Sequence, residues 1–408
     1  MFRPTQLLGL VLAISLLTGC ATRTQADSEA DQDATTTLAD TKDQSCCDKP
    51  EPTRSGYLPD KPAQPAAPSI KAGQSQATAS GFVQEDGSLK PDIQAYADEV
   101  SRTRNIPQPL VEQLLQSAVY NKQAAKLMSP SKTRVRPSWV TYRKRFVEPI
   151  RLKAGKQFWQ EHAELLEQVQ QEYGVPAAII VSIIGVETIF GRYTGDFRTL
   201  DALATLGFRH PDPARPKRSQ MFRDQLADLI ELHHRGWLDA HTVTGSYAGA
   251  IGLPQFMPGS LRRFAIDGDG DGKIDLEGSV EDAAYSVANY LRHHGWEPDL
   301  PVFAPVSIPD PAKQLETKGL EPNLSWRKLH EHGVKTRTDQ HNERWQAHRL
   351  GMVDLVDEPR DTVEYRVGTP NFFAITHYNH SYFYAASVAD LAQQLARQTG
   401  QPNMPVDR

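Results

Sequence analysis

The 408-residue sequence contains only three cysteines, Cys20, Cys46 and Cys47. Cys46 and Cys47 are neighbours in a polar stretch, where a bond between them would be strained and a metal ion would lack further ligands. Neither has a setting that is typical of a catalytic thiol. We therefore interpret both as exposed thiols and assign them no function.

The chain also has no surplus of basic residues. Its 45 Lys and Arg are outnumbered by 50 Asp and Glu, which gives a formal net charge of −5. This balance gives no reason to expect nucleic acid as a partner. Beyond the first residues, no apolar run is long enough to cross a membrane. The length leaves room for two or three domains.

Two common catalytic signatures are missing as well. The sequence has neither the Gly-x-Ser-x-Gly elbow of serine hydrolases nor the HExxH motif of zinc proteases. In the pairs His233-His234 and His293-His294 the adjacent side chains point to different helix faces, so neither pair can share one metal ion. We interpret each pair as the end of a helix that stops at a following glycine.

The N-terminus has the pattern of a signal peptide. Arg3 precedes the apolar run 7–17, and Leu17-Thr18-Gly19-Cys20 resembles the bacterial lipobox. The resemblance implies a lipoprotein signal peptide over residues 1–20 and lipidation of Cys20. The following Ala21 implies the outer membrane, with the protein on its periplasmic face. Several acyl chains on one cysteine would anchor it stably.

The rest of the chain divides into a tether and a mainly α globular part of the α+β class. Residues 21–80 are too poor in large apolar residues to fold and predict a flexible tether. Helical periodicity then predicts an N-terminal α domain over 81–174, an α core over 175–300 and a closing helix within 381–408 that packs on the α domain. Alternating patterns predict a small β domain over 301–380. The predicted helices are 92–104, 107–128, 157–173, 200–206, 219–238, 279–294 and 381–398, and the predicted strands are 302–308, 350–356, 363–367 and 372–378.

One buried helix stands out, because it carries a carboxylate. Val175–Gly191 is apolar around most of its circumference, and Glu187 lies near its far end. Pro176 suits the first turn of the helix and Gly191 its stop. Burial would raise the pKa of Glu187 and make it a candidate general acid. An ion pair or a cap would explain this residue equally well.

Two stretches have the composition of a carbohydrate groove. Residues 246–258 combine small residues with Ser, Tyr, Gln and Phe, which can stack on a sugar and form hydrogen bonds with it. Residues 376–384 place tyrosines and an Asn at a predicted strand-to-helix junction. A tight core turn and an aromatic core are the alternatives for these two stretches.

An acidic loop has the spacing of a calcium site. Carboxylates fall at loop positions 1, 3, 5 and 9, and a backbone carbonyl is available at position 7. Gly278 stands where a bidentate Glu is usual, so Glu281 or Asp282 would complete the site from a longer loop, 267–282. Only one suitable helix follows, which favours a structural Ca²⁺ ion over a sensor. The predicted ligands are Asp267, Asp269, Asp271, Lys273, Asp275 and Asp282.

In the order in which they occur, these stretches resemble the lytic murein transglycosylases, most closely the membrane-bound lytic transglycosylase B type. The resemblance covers about Phe82 to the C-terminus and rests on 185–191, 246–250, 255–258, the acidic loop, 286–290, Tyr378-Asn379 and Tyr384. The chain departs from the family pattern at Leu253-Pro254, where the family often has Gln, which puts one groove contact in doubt.

The resemblance implies a lysozyme-like α core with a calcium loop, and cleavage of the β-1,4 bond between N-acetylmuramic acid and N-acetylglucosamine in peptidoglycan glycan strands. It makes Glu187 the single catalytic acid and base, which closes a 1,6-anhydro ring without water. No organic cofactor is implied. The groove residues it implies are Tyr142, Ser246, Gln255, Phe256, Tyr290, Tyr378, Asn379 and Tyr384.

Three other functions compete with this one. A muramidase would hydrolyse the same bond with a second carboxylate, for which Asp196 is the nearest candidate. A non-catalytic lipoprotein would use the same groove to hold peptidoglycan. A calcium-regulated adaptor would expose apolar surface when it binds the ion.

Overall fold

The computed structural model describes residues 81–400 except 132, 318 and 338–342. The expected signal peptide, lipidated Cys20, tether and vicinal cysteines lie outside these residues, as do the last eight. Within the described part the chain forms fifteen α-helices. In chain order they are α1 (Pro91–Arg104), α2 (Gln108–Ser117), α3 (Lys122–Met128), α4 (Trp139–Arg143), α5 (Pro149–Glu161), α6 (Ala163–Tyr173), α7 (Ala177–Thr188), α8 (Thr199–Phe208), α9 (Pro216–His234), α10 (Pro258–Phe264), α11 (Val280–His293), α12 (Asp310–Lys313), α13 (Trp326–Glu331), α14 (Pro370–Asn379) and α15 (Tyr382–Gln398).

Six short strands form three antiparallel pairs in the same part of the chain. β1 (Phe197–Arg198) pairs with β2 (Thr244–Gly245), and β3 (Val306–Ser307) pairs with β4 (Lys335–Thr336). The longest pair is the hairpin of β5 (Gly351–Asp357) and β6 (Thr362–Gly368), with Gly351 opposite Gly368. β3, β4, β5 and β6 belong to the C-terminal half, where the sequence predicts the small β element.

Helix α7 lies at the centre of the main core. All twelve of its residues are buried, because apolar side chains cover its whole circumference. It packs against α5, α6, α11 and α15. A smaller apolar cluster, which includes Trp345 and Met352, lies beneath the β5–β6 hairpin. The main core thus fixes α7 from several sides, which suits a helix that holds a functional group.

Three predictions of secondary structure are wrong in detail. Residues 372–378 belong to α14 and not to a strand, because Pro370 occupies its first turn and the Thr369 hydroxyl accepts the N–H of Asn371. The predicted strand 302–308 forms a strand only at Val306–Ser307, with a separate bridge from Phe303 to Gly368, because the prolines around it leave few donors. The helix predicted over 107–128 breaks into α2 and α3, and Asn121 caps the second.

The expected helix ends at the two His pairs are confirmed. α9 ends at His234 and α11 at His293, and the following Gly236 and Gly295 both have positive φ. Among the described residues, no single helix has the length and apolar composition needed to span a membrane. One pair, α6 with α7, passes that test together but is bent by 114° at its break.

Candidate active site

Glu187 lies in the last turn of α7, with a side chain that is almost completely buried. The Tyr384 hydroxyl, from the first turn of α15, donates a hydrogen bond of 2.6 Å to its Oε1. Burial raises the pKa of Glu187 to about 7, and the Tyr384 hydrogen bond opposes this rise only in part. The carboxyl group is therefore close to half-protonated at neutral pH.

The backbone turns sharply directly after Glu187. Ile189 and Phe190 have φ of 51° and 58°, so α7 ends at Thr188, three residues before the predicted stop at Gly191. The Thr188 hydroxyl accepts the N–H of Gly191 at 3.0 Å, and it lies 3.1 Å from the carbonyl oxygen of Leu253. Two consecutive non-glycine residues in the left-handed region are unusual and are often found at functional sites.

Phe190 explains a glycine in the helix itself. A Cβ on Gly185 would lie 2.5 Å from the Phe190 ring, so this ring can fold back on α7 only because residue 185 has no side chain. The buried Arg151 of α5 donates from Nε to the Gly185 carbonyl at 2.7 Å. Glu187 is thus held between a rigid turn and a fixed helix end.

Aromatic rings extend from Tyr384 to the far side of the site. Tyr384 stacks on Tyr378 with ring centroids 6.1 Å apart, and Tyr378 lies 4.8 Å from Tyr290. Phe256 contacts both Tyr290 and Tyr378, at 5.5 Å and 5.9 Å. Four of the predicted groove residues are therefore brought together on one aromatic wall beside Glu187.

The tyrosines of this site remain hydroxyl donors. Burial, reinforced by the negative charge of Glu187, raises the pKa of Tyr142, Tyr378 and Tyr384 above its ordinary value. Tyr142 belongs to α4 and packs against Phe383, which precedes Tyr384 in α15. The Tyr378 hydroxyl donates to the Pro254 carbonyl at 2.9 Å.

The three polar residues predicted for the groove differ in whether their side-chain polar atoms already have hydrogen-bond partners. The side-chain amide of Gln255 donates to the backbone carbonyls of Thr194 and Gly252. The Ser246 hydroxyl accepts the N–H of Ala250 at 3.1 Å. Asn379, at the end of α14, has a buried Oδ1 that finds no hydrogen-bond partner among the described residues. An unpartnered buried acceptor next to Tyr378 is the kind of atom that a ligand can satisfy.

The acidic loop packs directly against segment 252–254, which contacts Thr188 beside Glu187. The N–H of Leu253 donates to the Leu276 carbonyl at 2.7 Å. Gly252 has φ of 72°, and a Cβ there would lie 2.4 Å from the Leu276 oxygen, so this approach requires glycine. The carbonyls of Leu253 and Pro254 meanwhile receive the hydroxyls of Thr188 and Tyr378.

Three carboxylates of the acidic loop are close enough to hold a cation. Asp267, Asp269 and Asp282 each offer an oxygen, and these oxygens lie within 4.8 Å of one another. Asp282 is buried in the first turn of α11, which makes it, and not Glu281, the residue that joins the cluster. Carboxylates at this spacing fit the oxygen ligands of Ca²⁺. The side chains of Asp271 and Asp275 do not join this cluster, and Lys273, predicted through its backbone carbonyl, stays a prediction.

A second carboxylate does not accompany Glu187 in the described part of the chain. Asp196 is exposed in the segment before β1. No acidic residue of the described ranges contributes to the pKa of Glu187, which responds to burial and Tyr384 only. Two carboxylates that share one glycosidic bond would lie about 5–10 Å apart and would affect each other's pKa.

A buried acid beside an aromatic wall, on a mainly helical core, is an arrangement typical of glycan-cleaving enzymes. The transglycosylase SLT domain family matches residues 88–393, and the chain belongs to this family. It is 34% identical over 322 residues to membrane-bound lytic murein transglycosylase B of Escherichia coli, and the match covers 76% of this chain and 84% of the relative.

Solved structures agree with this assignment. Catenated lytic transglycosylase SltB1 of Pseudomonas aeruginosa matches with a TM-score of 0.68 and 38% identity, over 76% of this chain and 99% of the other. E. coli lytic transglycosylase Slt35 in complex with calcium gives 0.65 and 33%, over 76% and 94%. P. aeruginosa SltB3 in complex with NAG-anhNAM-pentapeptide gives 0.62 and 26%, over 74% and 78%.

The expected family, fold class and kind of enzyme are thereby confirmed. The chain has the mainly helical, lysozyme-like fold of the lytic murein transglycosylases, which cleave peptidoglycan. The sequence included Tyr384 among the groove residues but did not reveal its hydrogen bond to Glu187. That contact joins residues 197 positions apart, and no local pattern signals it.

Proposed function

We propose that this enzyme cleaves the β-1,4 bond between N-acetylmuramic acid and N-acetylglucosamine by a non-hydrolytic route, with Glu187 as acid and then as base. The observation that carries the proposal is a single buried carboxyl with a pKa raised to about 7 and no acidic partner in the described chain. Such a group can give up a proton and take one back near neutral pH. The complex of SltB3 with an anhydro-sugar peptide supports the same product.

In the first step the protonated Glu187 transfers its proton to the glycosidic oxygen as the bond to C1 of N-acetylmuramic acid breaks. Tyr384 occupies Oε1, which leaves Oε2 to hold the proton and face the substrate. The carbonyl oxygen of the substrate's own N-acetyl group bonds to C1 and stabilises the positive charge there. The N-acetylglucosamine end leaves with its new hydroxyl.

In the second step the C6 hydroxyl of the same muramic acid attacks C1 and displaces the N-acetyl oxygen. The ionised Glu187 accepts the hydroxyl proton, so the enzyme returns to its protonated form and no water is consumed. Because the charge on Glu187 is buried, the carboxylate is a stronger base than an exposed glutamate. Tyr384 can stabilise this ionised state through its hydrogen bond.

For the groove, we propose that the partly exposed Tyr378 stacks on a sugar ring, that the buried Phe256 and Tyr290 support it from behind, and that Tyr142 also lines the site. The Oδ1 of Asn379 would accept a hydrogen bond from the sugar. N379A should raise KM by about tenfold and leave kcat within about threefold, because the lost hydrogen bond serves the bound sugar in both states. Steady-state kinetics on a soluble glycan separates the two constants, and an equal loss in kcat would contradict a binding role.

We further propose that the acidic loop binds one Ca²⁺ ion through Asp267, Asp269 and Asp282, with backbone oxygen and water completing its shell. The calcium complex of Slt35 supports this assignment. The ion would hold the acidic loop in place beneath Leu253 and so act on the site through structure. It would take no part in the bond cleavage.

The protein's place in the cell follows from the N-terminal pattern and from its relative. We propose that lipidated Cys20 anchors it to the periplasmic face of the outer membrane and that the tether lets it reach the peptidoglycan. The membrane-bound E. coli relative supports membrane attachment. Labelling with a radioactive fatty acid should mark the protein, and C20S should abolish the label.

Mass spectrometry of the products from purified sacculi tests the proposed reaction. We expect 1,6-anhydro-N-acetylmuramic acid ends, while reducing ends alone would identify a hydrolase. Incubation in ¹⁸O-labelled water adds a second readout, because a route without water leaves the new ends unlabelled. D196A should retain activity within about threefold, and its loss would favour the muramidase.

A further inference from the structure

A second group of metal-ligating side chains lies away from Glu187, where α9 ends. His233 belongs to the last turn of α9, and Asp239 and His241 lie in the turn that follows. Each of the three offers one ligand atom, and these atoms lie within 4.8 Å of one another. This cluster uses only one member of the adjacent pair His233-His234, so it avoids the geometric objection to that pair.

Hydrogen bonds hold the cluster in a defined arrangement. The N–H of His241 donates to Asp239 Oδ1 at 2.9 Å, and the Thr242 hydroxyl donates to Asp239 Oδ2 at 3.1 Å. The N–H of Ala240 donates to His233 Nδ1 at 3.2 Å, and an ion bound at Nδ1 would replace this hydrogen bond. The two imidazole rings are perpendicular, with centroids 5.5 Å apart.

An ion pair explains only part of this arrangement. His233 Nδ1 and Asp239 Oδ1 are 3.6 Å apart, which is long for a charge-assisted hydrogen bond. The ion pair also gives no role to the second imidazole, His241, although the His241 ring lies on the other side of the cluster. Two imidazoles and a carboxylate around one point form a ligand set that metal ions use.

We propose that His233, Asp239 and His241 form a binding site for a first-row transition-metal ion, and that Zn²⁺ is the ion that fits it. Two nitrogen ligands and one oxygen ligand suit Zn²⁺, whereas Ca²⁺ takes oxygen ligands. Ligand atoms on a tetrahedral zinc ion are about 3.5 Å apart, given bonds of about 2.0–2.2 Å. The half-exposed Asp239 can close this distance, and water would fill the fourth position.

The position of the cluster gives the metal a structural effect. The turn that carries Asp239 and His241 leads directly into β2, and β2 pairs with β1 and continues into the Ser246 segment. An ion would join the end of α9 to this turn, where the hydrogen bond from Ala240 to His233 now does so. The inference does not rest on the proposed reaction, since it concerns residues outside the glycan site.

Equilibrium dialysis of the full chain against Zn²⁺, followed by metal analysis, tests the proposal. Cys20, Cys46 and Cys47 are replaced by Ser in every sample because thiols bind zinc, and excess Ca²⁺ occupies the acidic loop. The background protein should bind one Zn²⁺. H241A and D239N should each weaken binding by about tenfold or more, as the loss of a ligand does.

H332A is the matched control, since His332 is partly exposed directly after α13 and lies far along the chain from the cluster. It should bind Zn²⁺ as the background protein does. Zn²⁺ should also raise the melting temperature of the background protein and not that of H241A. If the background protein binds no Zn²⁺, or if H332A loses as much as H241A, the site does not exist.

Discussion

Replacing Glu187 with Gln should make the enzyme inactive and, above neutral pH, more stable. E187Q keeps the shape of the side chain and can still accept the Tyr384 hydrogen bond, but it cannot give up a proton or carry a charge. The rate should fall by roughly two to four orders of magnitude, as the loss of a general acid does. The gain in stability follows from the cost of a buried charge.

The sign and size of that gain follow from the pKa of Glu187. It is raised from an ordinary 4.5 to about 7 in the folded state, so the folded protein holds a proton between these values that the unfolded chain has lost. Ionisation of Glu187 thus makes the wild type progressively less stable from pH 4.5 to pH 7, after which the cost is constant. At about 1.4 kcal/mol per pKa unit, E187Q should gain about 2.5 kcal/mol on wild type between pH 5 and pH 8.

Urea denaturation of both proteins at pH 5 and pH 8, with excess Ca²⁺, measures this difference. Other groups titrate equally in the two proteins, so the double difference isolates Glu187. E161Q is the control, because Glu161 is exposed, and it should show the pH dependence of the wild type. If E187Q differs from wild type by the same amount at both pH values, the carboxyl is not destabilised by burial and the proposed acid role loses its basis.

Three further changes test the surroundings of this residue. Y384F removes a hydrogen bond that lowers the pKa of Glu187, so the alkaline limb of the kcat/KM profile should move to higher pH, by up to about one unit; an unmoved limb would contradict the contact. G252A should lower the free energy of unfolding, measured in urea, by more than about 2 kcal/mol, because its Cβ would meet the Leu276 carbonyl. The control G270A, also at positive φ but with free space around it, should lower this free energy by only about 1 kcal/mol. Chelation of Ca²⁺ should lower the melting temperature by about 5 °C, restored by Ca²⁺ but not Mg²⁺; an unchanged temperature would show that the acidic loop holds no stabilising ion.

The helices were largely predictable, because their signals are local. Apolar periodicity predicts α1, α9, α11 and α15 to within a few residues, and caps or proline mark their first turns. The β5–β6 hairpin was equally clear from alternation. These elements depend on residues close together in the chain, so their patterns can be recognised in the sequence.

Where tertiary contacts decide, the sequence was a weaker guide. Phe372, Phe373 and Ile375 favour a strand by composition, yet they lie in α14, where all three are buried in the main core. The stop of α7 was placed at Gly191, the residue with the usual preference. The helix instead stops at Ile189, which adopts an unfavourable left-handed conformation. The Thr188 hydroxyl and the Leu253 carbonyl fix the turn in this conformation.

The candidate site divides in the same way. The sequence made Glu187 and the tyrosines candidates, because a carboxylate in an apolar helix and clustered tyrosines are unusual, but their roles came from the resemblance to the transglycosylase family and stay predictions. For the cation site it predicted Asp267, Asp269 and Asp282, whose side chains the fold brings together, and also Asp271 and Asp275, whose side chains do not join that cluster. Asp271 and Asp275 accept N–H groups of their own loop, but so do Asp267 and Asp269, so these hydrogen bonds do not separate ligands from other carboxylates. The spacing of carboxylates along a loop does not show whether a given oxygen binds a cation or accepts a backbone N–H.

The acidic loop and the catalytic turn are best understood as one unit, joined by the segment 252–254. Leu276 accepts from the N–H of Leu253, and the Leu253 carbonyl accepts from Thr188, the residue next to Glu187. The adjacent Pro254 carbonyl accepts from Tyr378, which belongs to the aromatic wall. A displacement of the acidic loop would therefore pull on both the turn that orients the acid and a ring that faces the sugar. A cation bound by the acidic loop, as proposed, would therefore act on the turn after Glu187 through this segment, and glycine is required at position 252, where the two backbones meet.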